Sequence, residues 1–206
     1  MARMSVDQRR SALIESAYRV IADHGVEGAT TRRICAHAGM PLASFHYAFE
    51  SRTALLCAVM ETAVPSDINS MLEVILPHIA DEGPGVDAMR ANMKSQLAAF
   101  YSLLKVDPGR MQATISLGIY AHNHAELQQV GKDMYERLYG VATTGLQSSA
   151  DRAHVRWTVP VRDLGPVIIA ATNAITLTYL STADDDAVGK IIEAWAAGLM
   201  SYIVDA

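Results

Sequence analysis

Two histidines near the middle of the chain are the residues whose type and spacing come nearest to a metal site. His122 and His124 lie in the segment AHNHAE together with Glu126. A zinc site on a helix uses two histidines four residues apart on one face, whereas a spacing of two directs them to different faces. Because this segment is expected to connect two helices, we interpret the histidines as helix-end caps and predict no metal.

Signatures of catalysis are missing from the sequence. It contains no nucleophile elbow, no phosphate-binding glycine loop and no paired cysteine ligands. Cys35 and Cys57 are too few for a disulfide framework and are typical of small buried side chains. The sequence therefore does not predict an enzyme, and it predicts no cofactor.

The composition is that of a folded protein in a reducing compartment. The chain has 206 residues, of which 50% are hydrophobic, which suits one domain or a small domain joined to a larger one. The longest apolar stretch, residues 167–180, is shorter than the roughly 20 residues of a membrane-spanning helix, so we expect a buried helix. The N-terminal residues lack the apolar core of a secretion signal. These features predict a cytoplasmic protein.

Charge is divided unevenly along the chain. Residues 1–57 contain seven arginines and five acidic residues, a net charge of +2, whereas residues 58–206 contain ten basic and 17 acidic residues, a net charge of −7. A basic head on an acidic body is typical of a protein that binds a polyanion through the head. A net charge of +2 is equally ordinary for a solvated helical surface, so charge alone leaves both interpretations open.

Nearly every segment has the period of an α-helix, and strand signals are almost absent. Apolar residues recur at i, i+4 and i+8 in the first segment, and glycines or prolines separate the later ones. Pro65 is expected to kink or end a helix, and Pro77 to end its continuation. The pattern predicts an all-α protein of about nine helices. The predicted helices cover residues 7–24, 30–38, 41–47, 52–76, 86–106, 110–122, 125–150, 163–181 and 185–202, with an irregular segment at 151–162.

The two short helices between residues 30 and 47 need packing partners, because helices of this length are unstable alone. Thr30 is a good N-cap for the first, Gly39 marks the turn between them, and Ser51 is the N-cap of the helix that follows. Two short helices joined by a tight turn are typical of a helix-turn-helix, in which the second helix enters the major groove of DNA.

The segment GVEGATTRRICAHAGMPLASFHYAFESRTALL resembles the DNA-binding head of TetR-type transcriptional regulators. The positions that agree at fixed spacing are Gly25, Thr30, Thr31, Ile34, Ala38, Gly39, Phe45, Tyr47, Phe49, Ser51, Arg52, Leu55 and Leu56. Two positions depart from the family pattern, because His46 stands where Tyr is usual and Pro41 replaces a polar cap. The resemblance implies a helix-turn-helix DNA-binding domain at residues 1–57 and a helical effector-binding and dimerisation domain at residues 58–206.

The resemblance also gives the outward residues of this head a role at DNA. Hydroxyl and guanidinium groups at helix N-termini bond phosphates, which positions a protein without reading sequence. The expected phosphate contacts are Thr30, Thr31, Tyr47 and Arg52, with Arg3, Arg9 and Arg10 as further backbone contacts. Arg32 can reach a guanine edge, while Arg33 is expected to remain solvated. The residues expected to face DNA from the second helix, with Phe45 and Phe49 facing inward, are Leu42, Ala43, Ser44 and His46.

An effector cavity in the body is the next implication of the resemblance. It would lie among the helices around residues 86–106, 110–150 and 163–181. The candidate lining residues are Met93, Phe100, Tyr101, Ile115, Tyr120, His122, Thr172, Asn173 and Thr176. The polar members have an alternative role, because buried polar groups can instead bond the helix backbone or a second copy of the chain. A body that binds a protein partner, or no ligand at all, is a further alternative.

The last two predicted helices are the most apolar part of the chain and suit a two-fold interface. The expected interface residues are Ile168, Ile175, Ile192, Trp195 and Leu199. With the resemblance, this predicts a homodimer that binds a palindromic double-stranded DNA operator and is released from it by a small-molecule effector. The two heads are expected to lie about 34–36 Å apart, the distance between successive major grooves on one DNA face.

Overall fold

The computed structural model describes residues 4–77 and 84–205, and it is almost entirely helical, as the sequence predicts. The helices are α1 (Val6–Gly28), α2 (Thr31–His37), α3 (Ala43–Ala48), α4 (Arg52–Ala58), α5 (Val64–Ile75), α6 (Val86–Val106), α7 (Pro108–His122), α8 (Gln128–Ala153), α9 (Gly165–Thr182) and α10 (Asp185–Met200). A π-helical turn, Val59–Ala63, joins α4 to α5, so the two form one continuous helical stretch. Of the predicted DNA contacts, Arg3 lies outside the described residues.

Side-chain caps start α2 and α4, which confirms the predicted roles of Thr30 and Ser51, whereas α1 continues past its predicted end at residue 24 to Gly28. The hydroxyls of Thr30 and Ser51 accept from the backbone N–H groups of Arg33 and Ala54, at the starts of α2 and α4. Gly25 interrupts α1 with a φ of 72°, and Gly39 has a φ of 64° in the turn after α2. Both values lie in the left-handed region that glycine adopts without steric cost.

Pro65 does not end its helix, so of the two expectations, a kink or an end, the second is wrong. The chain stays helical from α4 into α5, and the π-helical turn comes immediately before the proline. A proline within a helix removes one backbone donor and crowds the preceding turn, and a π turn is a local way to absorb that misfit. Pro77 behaves as expected, because α5 ends at Ile75.

Two short strands were not predicted. β1 (Val155–Trp157) pairs antiparallel with β2 (Ile203–Asp205), and Arg156 lies opposite Val204. Val155 and Ile203 turn inward and are buried. The first strand falls in the segment predicted to be irregular, and the second follows the last helix.

The chain divides into two compact units. The first contains Met1–Asp67 and Gly109–Tyr135, and the second contains Ile68–Pro108 and Glu136–Ala206. In the first, α1 packs against α2, α3 and α4; in the second, α10 packs against α6 and α9. The functional boundary expected after residue 57 remains a prediction, and residues 109–135 cluster with the N-terminal unit.

One stretch within the described residues, Val161–Thr182, is long and apolar enough to cross a membrane by length and composition alone. Only 28% of its most apolar window is buried by the rest of the chain. Within the single chain α9 is therefore only partly buried, and one apolar face remains uncovered.

Candidate functional site

Two aromatic anchors hold α3 in the first unit. Phe45 and Phe49 are 1% and 3% exposed, and Ile34 of α2 is fully buried. The turn between the helices is closed by a hydrogen bond of 2.9 Å from the Met40 N–H to the Cys35 carbonyl. The inward direction of the two phenylalanines was predicted, and it fixes which residues of α3 face outward.

The outward face of α3 presents the side chains that the sequence singles out. Leu42, at its start, is 42% exposed, and Tyr47 is 75% exposed. Ala43 and His46 are exposed as well, while Ser44 is half-buried. Together they form a solvent-facing surface, which we call the α3 face, of mixed apolar and hydrogen-bonding groups.

The polar side chains at the start of α2 have different surroundings. The Thr30 hydroxyl caps α2, and Thr31 is half-buried. The Arg33 guanidinium donates to the Gly28 carbonyl at 2.7 Å, so it is bound to its own backbone and not simply solvated. Arg32 is exposed, and within the described ranges no hydrogen bond or ion pair holds its guanidinium.

Arg10 also turns toward the protein. Its guanidinium donates to the Ala48 carbonyl at 3.0 Å and lies 4.2 Å from the centre of the Phe49 ring. It thus ties α1 to the end of α3, where the last helical carbonyls need partners. A DNA-backbone contact of Arg10 would have to compete with this bond and stays a prediction. Arg9, its neighbour in sequence, is half-buried.

Arg52 is bound inside the first unit as well, and its expected phosphate contact stays a prediction. Its Nε donates to the Ala29 carbonyl at 3.0 Å, one terminal nitrogen donates to the Tyr120 hydroxyl at 3.1 Å, and the other donates to the Val26 carbonyl. Each guanidinium nitrogen therefore has an internal partner. The side chain closes the loop between α1 and α2, and a phosphate contact would have to compete with these bonds.

The histidine pair sits at the end of α7. The His124 ring stacks on Tyr120 with 3.8 Å between ring centres, and its Nδ1 lies 2.7 Å from the Tyr120 carbonyl oxygen. This is the helix-end role that the sequence favours. His122 is exposed. Within the described residues, no cluster of three His, Cys, Asp or Glu side chains could hold a metal.

Both cysteines have the character of small packing residues. Cys35 is 1% exposed, and Cys57 is half-buried. Burial raises the pKa of both thiols, and Glu61 raises that of Cys57 further. A raised pKa keeps a thiol protonated at neutral pH and lowers its reactivity.

A small cavity of about 80 Å³ lies within the second unit. Three of the predicted pocket residues line it, namely Met93, Phe100 and Thr172. Ile168, assigned to the dimer interface from the sequence, also lines it. The sequence analysis missed Gln96, although Gln96 shares a helical face with Met93 and Phe100 at spacings of three and four residues.

The other pocket candidates are not among the residues that line this cavity. Ile115, Tyr120 and His122 belong to the first unit. Tyr101 donates to Asp185, Asn173 is half-buried, and Thr176 donates to the Thr172 carbonyl at 2.7 Å. Thr172 itself donates to the Ile169 carbonyl at 2.9 Å. Backbone bonding, the alternative weighed for these threonines, is therefore what the structure shows.

The expected dimer residues are similarly divided. Ile175, Ile192 and Leu199 are at most 8% exposed and are covered largely by their own chain. Their place in a dimer interface stays a prediction. Trp195 is half-buried and lines a shallow groove with Val167, Gly198 and Tyr202. The large apolar side chains exposed on α9 are Leu177 and Leu180.

A helix-turn-helix with an outward second helix, joined to a larger helical unit, defines the class of DNA-binding transcriptional regulators. Residues 13–59 match the sequence model for bacterial regulatory proteins of the tetR family. The matched range covers the helix-turn-helix together with most of α1 before it and α4 after it.

Over nearly the whole chain, the similar proteins are distant in sequence, and those with solved structures have a similar fold. The chain is 25% identical over 183 residues to the HTH-type nicotine-responsive transcriptional repressor HdnoR of Paenarthrobacter nicotinovorans, with 89% of each chain covered. A TetR-family regulator from Agrobacterium tumefaciens superposes with a TM-score of 0.70 at 13% identity, covering 95% of this chain and 99% of that one. A transcriptional regulator from Pseudomonas aeruginosa PAO1 gives 0.62 at 20% identity, covering 97% and 94%. These similarities indicate regulators and no enzyme family.

Proposed function

We propose that this protein is a sequence-specific repressor, a homodimer that binds a palindromic operator and leaves it when a small molecule binds the second unit. The observation that carries the DNA-binding part is the α3 face, which is held outward by buried Phe45 and Phe49. Its hydroxyl, imidazole and apolar groups are of the kinds that contact phosphates, base edges and thymine methyl groups.

The distribution of charge along the chain also supports DNA binding through the N-terminal residues. The basic surplus lies in the first 57 residues, and the acidic surplus lies in the rest of the chain. An acidic body repels the phosphate backbone and keeps non-specific affinity low, because that affinity depends on the number of phosphates neutralised. Free Arg32 is the side chain that we assign to a base edge.

An effector response is supported by the cavity in the second unit and by the relative's nicotine response. In the proposed mechanism, the effector stabilises a dimer whose head spacing no longer fits successive major grooves. Effector and operator must then weaken each other's binding by the same factor. The proposed site of action is the cytoplasm.

Selection of bound sequences from random double-stranded DNA tests the DNA-binding part. We expect enrichment of a palindrome whose half-sites are about one helical turn, or a multiple, apart. Ala43→Glu adds a negative charge to the α3 face and should abolish selection, while Ala125→Glu, at an exposed position of the same unit, should not. Recovery of no common sequence by the unmodified protein would overturn the proposal.

A thermal-shift screen, followed by operator-binding assays, tests the effector part. A compound present at 100 times its Kd stabilises the folded state by about 2.7 kcal/mol. We expect at least one stabilising compound to lower operator affinity. If stabilising compounds leave operator affinity unchanged, the alternative of a body that binds a protein partner or no effector gains support.

A further inference from the structure

The wall of the cavity in the second unit contains no charged side chain. Its twelve lining residues include no Asp, Glu, Lys, Arg or His, and only Gln96 and Thr172 carry a polar side chain. The remaining wall is aliphatic, aromatic or glycine, with Met93 and Phe100 on the same helix as the glutamine. A ligand in this space would find apolar surface almost everywhere and no counter-ion.

Gln96 has hydrogen-bonding capacity beyond what the protein uses. Its side-chain nitrogen lies 3.1 Å from the Ser149 hydroxyl, and its side-chain oxygen lies 3.2 Å from the same hydroxyl. Ser149 is its recorded side-chain partner within the described residues, and both groups are buried. A primary amide offers two N–H donors and an oxygen with two lone pairs, so one hydroxyl leaves a donor and an acceptor position unfilled. Each of the two side-chain atoms already has one partner, and a second hydrogen bond at either atom remains open to a ligand.

Thr172 adds a second polar group to the same wall. Its hydroxyl hydrogen is committed to the Ile169 carbonyl at 2.9 Å, so only its oxygen lone pairs face other partners. The wall therefore offers one amide that can donate or accept and one hydroxyl oxygen that can accept. Neither compensates a full charge, and burying an unpaired charge is strongly unfavourable.

We infer that the ligand of this cavity is a small uncharged molecule with an apolar body and one hydrogen-bonding group that pairs with Gln96. This inference rests on the proposed function, in which the cavity is the effector site. The space of about 80 Å³ is about half that of an apolar cavity known to hold benzene, so the body is smaller than a benzene ring unless the flexible Met93 side chain moves. Protonated amines and carboxylates are excluded as ligands of the same site.

Methyl NMR of the full-length protein tests the ligand class directly. The protein carries ¹³C-labelled methionine methyl groups, and Met93→Leu identifies the Met93 signal. The probes are butan-1-ol, butylammonium and butyrate, which share a four-carbon chain and differ in charge. We expect butan-1-ol to shift the Met93 signal saturably, with both ions binding at least about tenfold more weakly because their charge would be buried unpaired. Ion binding within tenfold of the alcohol would overturn the uncharged class, and no shift with any probe would overturn the cavity as a binding site.

Two matched glutamine variants test the polar group. Gln96→Leu removes the amide at similar volume and should weaken butan-1-ol binding about fivefold, the value of one hydrogen bond, while leaving xenon binding unchanged. Gln147→Leu makes the same change at an exposed position of α8 and should have no effect. Unchanged butan-1-ol binding by Gln96→Leu would overturn the role of Gln96. If that variant does not fold, the three-probe comparison on the unmodified protein still decides the ligand class.

Operator assays separate this inference from the proposed function. If butan-1-ol binds as expected but does not lower operator affinity at saturation, the effector proposal fails and the ligand class stands. If the ions bind and lower operator affinity, the effector proposal stands and the ligand class fails.

Discussion

Arg32 and Arg33 are adjacent arginines that the structure treats differently. Arg33 is held by the Gly28 carbonyl, whereas the Arg32 guanidinium is exposed at the start of α2. A bidentate arginine–guanine contact discriminates against other bases by about 1–3 kcal/mol. We predict that Arg32→Ala relaxes sequence preference at one position of each half-site. Arg33→Ala is the control and should preserve preference, which competition binding with single-base operator variants measures.

Arg52 has two possible roles that give opposite results. Its bonds to Val26, Ala29 and Tyr120 predict that Arg52→Ala lowers the free energy of unfolding by about 1–3 kcal/mol, since buried carbonyls lose a charged donor. A phosphate contact would instead lower the salt slope of operator binding by about 0.9. We expect the first effect without the second. Urea unfolding and a salt titration on the same variant distinguish them, and a reduced slope at unchanged stability would restore the phosphate role.

The arginines also show the limit of sequence-based inference at this scale. The pattern correctly predicts that Phe45 and Phe49 face inward, because burial follows from residue type and helical spacing. It cannot predict that Arg10 and Arg52 bind carbonyls of their own unit. A long cation can reach a phosphate or an unpaired helix-end carbonyl equally well, and only the position of neighbouring helices decides between them.

At the scale of the elements, the turn between α2 and α3 requires glycine at position 39 because of its backbone conformation, and not because a side chain would clash there. Gly39 has a φ of 64°, and a Cβ atom built there would meet nothing within 4 Å. We predict that Gly39→Ala lowers the free energy of unfolding by about 1 kcal/mol through backbone strain alone. Gly39→Asn should cost less, because asparagine tolerates this region. Equal losses in the two variants, measured by urea unfolding, would contradict the backbone explanation.

A buried hydrogen-bond network joins α1, α5 and α7 within the first unit. The Tyr18 hydroxyl donates to Asp67 at 3.0 Å and lies 3.2 Å from the Arg110 carbonyl oxygen, while Arg110 pairs with Asp67 at 2.8 Å. Burial, followed by the Asp67 charge, raises the pKa of Tyr18 well above its usual value. A group whose pKa is raised by folding contributes stability that is complete below its unfolded pKa, about 10 for tyrosine, and is lost as pH rises beyond it.

We therefore predict that the free energy of unfolding falls between pH 8 and pH 10.5, and that Tyr18→Phe makes this fall smaller. Burial and the bond to Asp185 also raise the pKa of Tyr101, to about 12, so part of the pH dependence remains in the variant. Tyr202→Phe, at a side chain that is 40% exposed, is the control. Urea unfolding at the two pH values measures the difference, and an unaltered pH dependence in Tyr18→Phe would contradict the assignment to this tyrosine.

Helices were more predictable than strands for a physical reason. Caps and glycines act locally, so Thr30, Gly39 and Ser51 mark their boundaries without knowledge of the fold. β1 and β2 are three residues each and pair across 45 intervening residues, so no local pattern specifies them. The cavity is non-local in the same way, which explains why Met93 and Phe100 were found but were grouped with residues of the other unit.

At the scale of the whole molecule, α9 carries an apolar stripe that its own chain leaves open. Exposed positions recur at Ala170, Leu177 and Leu180, close to the helical period, and Leu177 is 52% exposed. On α10 the exposed positions Ala194, Ala197 and Gly198 are small, which permits close approach of another helix. The core residues Ile175, Ile192 and Leu199 support these faces from beneath instead of forming them.

A second copy of the chain is the partner that this stripe suits, because a two-fold dimer buries the same patch on both subunits. We predict that the unmodified protein sediments as a dimer at micromolar concentration and that Leu177→Arg shifts it to monomer, since each subunit would have to bury an unpaired charge. Ile119→Arg replaces a side chain that is 61% exposed in the first unit and should leave the dimer intact. Loss of the dimer should also remove most operator affinity, because one head contacts only one half-site. A monomeric unmodified protein would contradict the interface, and a monomeric Leu177→Arg that binds the full operator as tightly would contradict the need for two heads.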